Sequence, residues 1–161
     1  MNVRRSIAAA AVVLAAPVLS SCGVSFGAQT DQVYNPSVGV DDQSGSVDVL
    51  NALVVSGTDG SGAVVATLAN KDQQDADTLR GVTGAGPDAN LTVKVAGTTA
   101  IPADGVLNLA RSGRITARGK RIVPGNFVRI TFSFDRGQAA TLDVPVVSAS
   151  NPDYAGVKVP S

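Results

Sequence analysis

From residue 37 to residue 148, short apolar, β-branched runs alternate with polar turn signals, and no window sustains a helical period. The clearest stretch is Phe127-Val128-Arg129-Ile130-Thr131-Phe132-Ser133-Phe134, with Val128, Ile130, Phe132 and Phe134 on one face and Arg129, Thr131 and Ser133 on the other. Asp135-Arg136-Gly137 turns the chain into Ala140-Thr141-Leu142-Asp143-Val144, the predicted second arm of a hairpin. Upstream, Val47, Val49, Asn51, Leu53 and Val55 share one parity and predict a strand with one buried face. A Gly-rich turn over 57–62 leads into an apolar run over 63–68, Leu91-Thr92-Val93-Lys94-Val95 alternates, and Val106-Leu107-Asn108-Leu109 follows the turn Pro102-Ala103-Asp104-Gly105. Short strands at even spacing, punctuated by turn residues, predict an all-β domain built as a single antiparallel β-sandwich. The immunoglobulin-like sandwich is one form of it.

Both ends depart from this pattern. The chain opens MNVRRSIAAAAVVLAAPVLSSCG, with Arg4 and Arg5 ahead of an apolar run over 7–18. That is the layout of an export signal and is shorter than the roughly 20 apolar residues of a membrane-spanning helix. Leu19-Ser20-Ser21-Cys22 matches the lipobox, in which a cysteine preceded by small residues receives a diacylglyceryl group on its thiol. The expected organisation is therefore a cleaved lipoprotein signal peptide over 1–21, lipidated Cys22 and a tether over 22–36, the sandwich over 37–148, and a loose tail over 149–161. Several acyl chains on Cys22 hold a protein far more firmly than one chain does. The expected location is the outer face of the cell membrane, with the bilayer as a partner.

Composition then removes whole classes of chemistry. Cys22 is the single cysteine, so no intramolecular disulfide or multi-cysteine metal site is possible. There is no His, which excludes the common nucleophile–base pairs, and no motif surrounds Lys71, Lys94 or Lys120. The chain is predicted to be no enzyme and to need no cofactor. The acidic stretch over 70–77 lacks the alternating ligands, central Gly and terminal Glu of an EF-hand and reads as an inter-strand turn, as does Asp41-Asp42. The Gly-rich stretch over 81–87 has no helix behind it to make a phosphate loop. Asn90-Leu91-Thr92 is a glycosylation sequon in pattern only.

All thirteen acidic residues are Asp, and without Arg4 and Arg5 the mature chain carries a net charge of −2. Residues 23–110 carry −7 and residues 111–161 carry +5. This balance excludes nucleic acid as a partner. Five cations, Arg111, Arg114, Arg118, Lys120 and Arg121, fall within eleven residues, "RSGRITARGKR". Arg114, Thr116 and Arg118 alternate with Ile115 and Ala117, so the segment reads either as the solvated face of a strand or as an edge that docks on an acidic partner or on anionic lipid.

The order of these pieces resembles the periplasmic copper chaperone family known as PCu(A)C, whose fold is a cupredoxin-like sandwich. Residues 63–70 are similar to the family's "AYLTIENTG" strand, Asp75-Ala76-Asp77-Thr78-Leu79-Arg80-Gly81-Val82 to its "DDRLVGA" step, and residues 101–109 to "IPAGGTVELKPGG". Residues 128–134 with 141–146 resemble the closing "LTLTFEKAGEVTVEVPV" hairpin. The family holds copper(I) with His imidazoles and Met thioethers, soft ligands that suit this ion, including an H-x-M pair just after "PGG". Here that place is Gly113-Arg114-Ile115-Thr116-Ala117; the chain has no His, and its one methionine is Met1. No ligand carries over, so no metal site is expected. The resemblance implies a divergent lipoprotein of actinobacterial type that keeps the scaffold without the metal. Because the family serves cytochrome oxidase assembly, it points to an accessory or assembly subunit of the respiratory oxidase complex, working by binding an extracytoplasmic membrane protein. A carrier of a small ligand or metal is the alternative.

Overall fold

A computed structural model describes residues 38–97, 99–110 and 115–160. The expected signal peptide, Cys22 and the expected tether, and Arg111 and Arg114 of the basic segment lie outside the described residues. Ten strands are present among the described residues: β1 (Val40–Asp42), β2 (Val47–Ser56), β3 (Ser61–Asn70), β4 (Asp77–Gly84), β5 (Thr92–Val95), β6 (Ala100–Ile101), β7 (Val106–Asn108), β8 (Ile115–Arg118), β9 (Phe127–Phe134) and β10 (Ala140–Ser148). Among the described residues, no helix is long and apolar enough to cross a membrane.

The strands hydrogen-bond in the order β5-β8-β3-β2-β10-β9-β4-β6, with β1 also on β2 and β7 also on β3. The sheet curls on itself into the two layers of a sandwich. Alternation explains its interior: Val128, Ile130 and Phe132 of β9 are completely buried, facing Val49 and Val54 of β2, Leu68 of β3 and Ile115 of β8 in one core. Among the described residues pairing is antiparallel except at one place, where Val146–Ser148 of β10 run parallel to Val54–Ser56 of β2. A parallel pair needs a long crossover, and here everything between β2 and β10 supplies it. The expected all-β antiparallel sandwich is present, with this one parallel ladder among the described residues.

The uniform parity predicted for β2 also breaks, at Asn51. This residue sits at φ 50°, in the left-handed region that Asn tolerates better than most residues, and the β2–β3 register shifts between Leu50 and Leu53. Before the bulge Val47 and Val49 face the main core; after it Ala52 and Val54 do. Leu53 and Val55 are thereby thrown to the opposite face, where they form a second apolar cluster with Val65 of β3. Local polar contacts hold the bulge: the Gly39 N–H donates to Asn51 Oδ1 at 2.9 Å, and the Asn51 N–H to Asp41 Oδ1 at 2.6 Å.

That second cluster explains a further correction. The described residues 149–160 of the segment expected as a loose tail belong to the same compact unit as the strands. Tyr154, Val157 and Val159 pack on Leu53, Val55 and Val65, and the Ser61 hydroxyl donates to the Pro160 carbonyl at 3.0 Å. A Cβ on Gly57 would stand 2.7 Å from the Pro160 oxygen, so glycine there leaves room for the tail. An apolar outer face on β2 and β3 requires a cover, and the C-terminal segment provides it.

Candidate docking face

The described half of the basic segment follows the predicted alternation. In β8, Ile115 and Ala117 are buried, while Arg118 is exposed and Thr116 half-buried. Its place in the fold differs from expectation, because β8 is no edge. It pairs with β5 on one side, Thr92 opposite Arg118 and Lys94 opposite Thr116, and with β3 on the other, Ser61 opposite Arg118. What it offers a partner is a face, not unpaired backbone.

Cross-strand pairing places two cations and two hydroxyls in a block: Lys94 and Thr92 on β5 beside Thr116 and Arg118 on β8. With Ser61 and Pro160 they line a cleft of about 250 Å³. Lys120 joins from the following loop, in a second cleft of about 420 Å³ shared with Asp59, Gly60, Arg118, Gly119 and Val123. The Gly119 N–H bonds to the Gly60 carbonyl at 2.9 Å and fixes this loop against the β2–β3 turn.

Arg121 does not belong to the free cations. Its Nε stands 3.0 Å from Asp88 Oδ1, a carboxylate almost wholly buried, and its Nη2 donates to the Phe127 carbonyl at 2.9 Å. The other Asp88 oxygen accepts from the Arg129 N–H at 2.9 Å. Removing Asp88 from water requires these partners, so Arg121 serves as a structural staple in the fold.

This contrast extends over the surface. Of the nine Lys and Arg side chains among the described residues, five pair with Asp: Lys71 with Asp48 at 2.8 Å, Arg80 with Asp135, Arg121 with Asp88, Arg129 with Asp143 at 2.7 Å, and Arg136 with Asp75 at 2.7 Å. Lys94, Arg118, Lys120 and Lys158 make no ion pair among the described residues, and the first three gather at the block and its adjoining loop. Lys94 escapes a reading of the sequence as a site residue. Its alternation marks it as outward-facing, but its neighbour Arg118 is set by the non-local pairing of β5 with β8.

The acidic turns are committed to local structure. Asp72 Oδ1 accepts from the N–H groups of Gln74 (2.9 Å) and Asp75 (3.1 Å), which hold its carboxyl below the usual range. Ser44 does the same for Asp42 through its hydroxyl and its N–H. Among the described residues no three His, Cys, Asp or Glu side chains converge as a metal site. The chain has no His, and its soft donors are Met1 and Cys22 alone, both outside the described residues, so the described residues do not fit that cargo.

No protein-family model matches the chain, and no curated protein does. Solved structures match in fold. The apo PCuAC domain from PmoF1 superposes with a TM-score of 0.55 at 16% identity, covering 68% of this chain and 99% of that domain. The copper-bound PCuAC domain from PmoF2 gives 0.53 at 17% identity, covering 68% of this chain and 98% of that one. The apo PmoF2 PCuAC domain gives 0.50 at 16%, covering 65% and 92%. The chain has a PCuAC-like, cupredoxin-like sandwich.

Proposed function

We propose that this chain is a non-catalytic binding protein, anchored through acylated Cys22 on the outer face of the cell membrane, that serves as an accessory or assembly subunit of another extracytoplasmic membrane protein. The carrying observation is a PCuAC-like scaffold without the His donors of a copper site, on which Lys94 and Arg118, without ion pairs among the described residues, line one cleft on an outer face. Such a surface selects an acidic partner and speeds its encounter, because none of its charge is spent on internal pairs. Respiratory cytochrome oxidase is the partner that the fold likeness suggests. Recovery of the lipidated protein from detergent-solubilised membranes, followed by mass spectrometry, tests the reading: oxidase or other respiratory subunits are expected, and their absence overturns it. The alternative, a carrier of metal or of a small ligand, draws on the copper-bound state of one structural neighbour. It predicts a calorimetric binding signal with copper(I) or another ligand; the accessory reading predicts none with copper(I).

A further inference from the structure

Four large apolar side chains stand in water among the described residues: Val38 (59% exposed), Val106 (63%), Val123 (48%) and Phe127 (54%). Singly such residues are ordinary. Val123 and Phe127, however, flank one turn between β8 and β9, and that turn is firmly held. Ile122 is buried beneath it. The Asn126 N–H closes on the Val123 carbonyl at 3.1 Å across Pro124-Gly125, with Gly125 at φ 91°, the pattern of a type II turn. Gly125 and Asn126 bond in turn to the Val146 carbonyl and N–H at 2.9 Å each, and Arg121 grips the Phe127 carbonyl. The two apolar side chains are thus held outward, and Val123 shares its cleft with the unpaired Arg118 and Lys120. An apolar tip beside unneutralised cations has the composition of an interfacial membrane contact.

Chain direction points the same way. β1 runs antiparallel to β2, with Val40 opposite Ala52 and Asp42 opposite Val49, so Val38 and Gly39 ahead of β1 lie toward the Ser56 end of β2. The β8–β9 turn lies at that end too, since Val146 pairs with Val54 while bonding to Asn126. Fully extended, the residues from Cys22 to Pro36 reach about 50 Å at most, so an anchor at Cys22 would attach at this end of the domain and leave it no farther than that from the bilayer.

We infer that the β8–β9 loop is a bilayer contact: Lys120 meets anionic headgroups, Val123 and Phe127 enter the interface, and together they orient the anchored domain so that the Lys94–Arg118 block stays open to a partner. This rests on the anchoring proposed above. A purely electrostatic protein contact would leave the outward Val123 and Phe127 without a role.

The chain has no Trp, so a single introduced indole reports alone. The lipidated protein carrying Phe127→Trp, reconstituted in phosphatidylcholine–phosphatidylglycerol vesicles with brominated acyl chains, is expected to show blue-shifted, quenched emission. Val106→Trp lies at the other end of the sandwich, opposite Ala69 beside the Asn70–Val47 pair, and is expected to stay unshifted. Both positions are exposed, and circular dichroism checks that each variant folds. Lys120→Glu in the Phe127→Trp background should reduce the quenching, as should high salt. Equal quenching at both positions, or none at 127 with Cys22 shown by mass spectrometry to be acylated, overturns the inference alone. An unmodified Cys22 overturns the anchoring as well. An indole shielded in native membranes but not on pure lipid identifies a protein occupant and also overturns it.

Discussion

Asp77 shows how one side chain joins distant segments. It begins β4 almost fully buried, and its carboxylate accepts from the N–H groups of Thr78 (2.6 Å), Asp135 (3.1 Å), Arg136 (3.1 Å) and Gly137 (2.9 Å). The last three form the turn of the β9–β10 hairpin. Burial pushes the carboxyl upward, but the four donors together outweigh it and hold it below its ordinary value. Asp77→Asn keeps the shape while turning an amide group toward these donors, and urea unfolding should show a loss of about 3 kcal/mol at neutral pH. Because the folded value is depressed, this stabilisation is complete above the unfolded carboxylate value of about 3.9 and is lost as pH falls through the folded one. Asp42, Asp72 and Asp143 are lowered as well, so the variant should retain an acid-side decline, shallower than that of the parent below about pH 4.

Among the elements, the C-terminal segment is the one whose role is least visible locally. Deleting residues 152–161 strips the cover from Leu53, Val55 and Val65. The burial lost is partly offset by the entropy no longer spent in ordering the segment, so thermal unfolding should report a net loss on the order of 2 kcal/mol. The bared face should also make the shortened protein self-associate in size-exclusion chromatography, while the intact chain does not do so through this face. An unchanged midpoint would mean that the cluster is stable without its cover. In the sequence, Val157-Lys158-Val159 is too brief to announce this, and the need for it arises only because the Asn51 bulge turns Leu53 and Val55 outward. By contrast the β9–β10 hairpin is readable in full, since Val128, Ile130, Phe132 and Phe134 set its buried face and its turn is adjacent in sequence. β8 falls between these cases. Ile115 and Ala117 declare which face is buried, but four residues carry no information about the partners on either side, and so a central strand reads as an edge. Arg121 is likewise one cation of five until Asp88 is brought beneath it.

At the scale of the molecule, the sequence segregates charge and the fold largely undoes it. Asp88–Arg121, Asp75–Arg136 and Arg80–Asp135 each join the acidic N-terminal part to the basic C-terminal part. Of the four described cations left without an ion pair, Lys94, Arg118 and Lys120 gather locally, and this residue of imbalance is a better guide to a binding face than the net charge of either half. Lys94→Glu with Arg118→Glu reverses both charges of the block without touching any ion pair of the described residues. Both side chains are exposed, so thermal stability should stay within about 0.5 kcal/mol of the parent. Association with an acidic partner should weaken on the order of tenfold at low ionic strength, and the gap between variant and parent should close as salt is raised. Co-purification from membranes at two salt concentrations reads both effects. An equal yield for parent and variant at low salt would return the block to the status of a solvated strand face and leave the fold's charge imbalance without a partner.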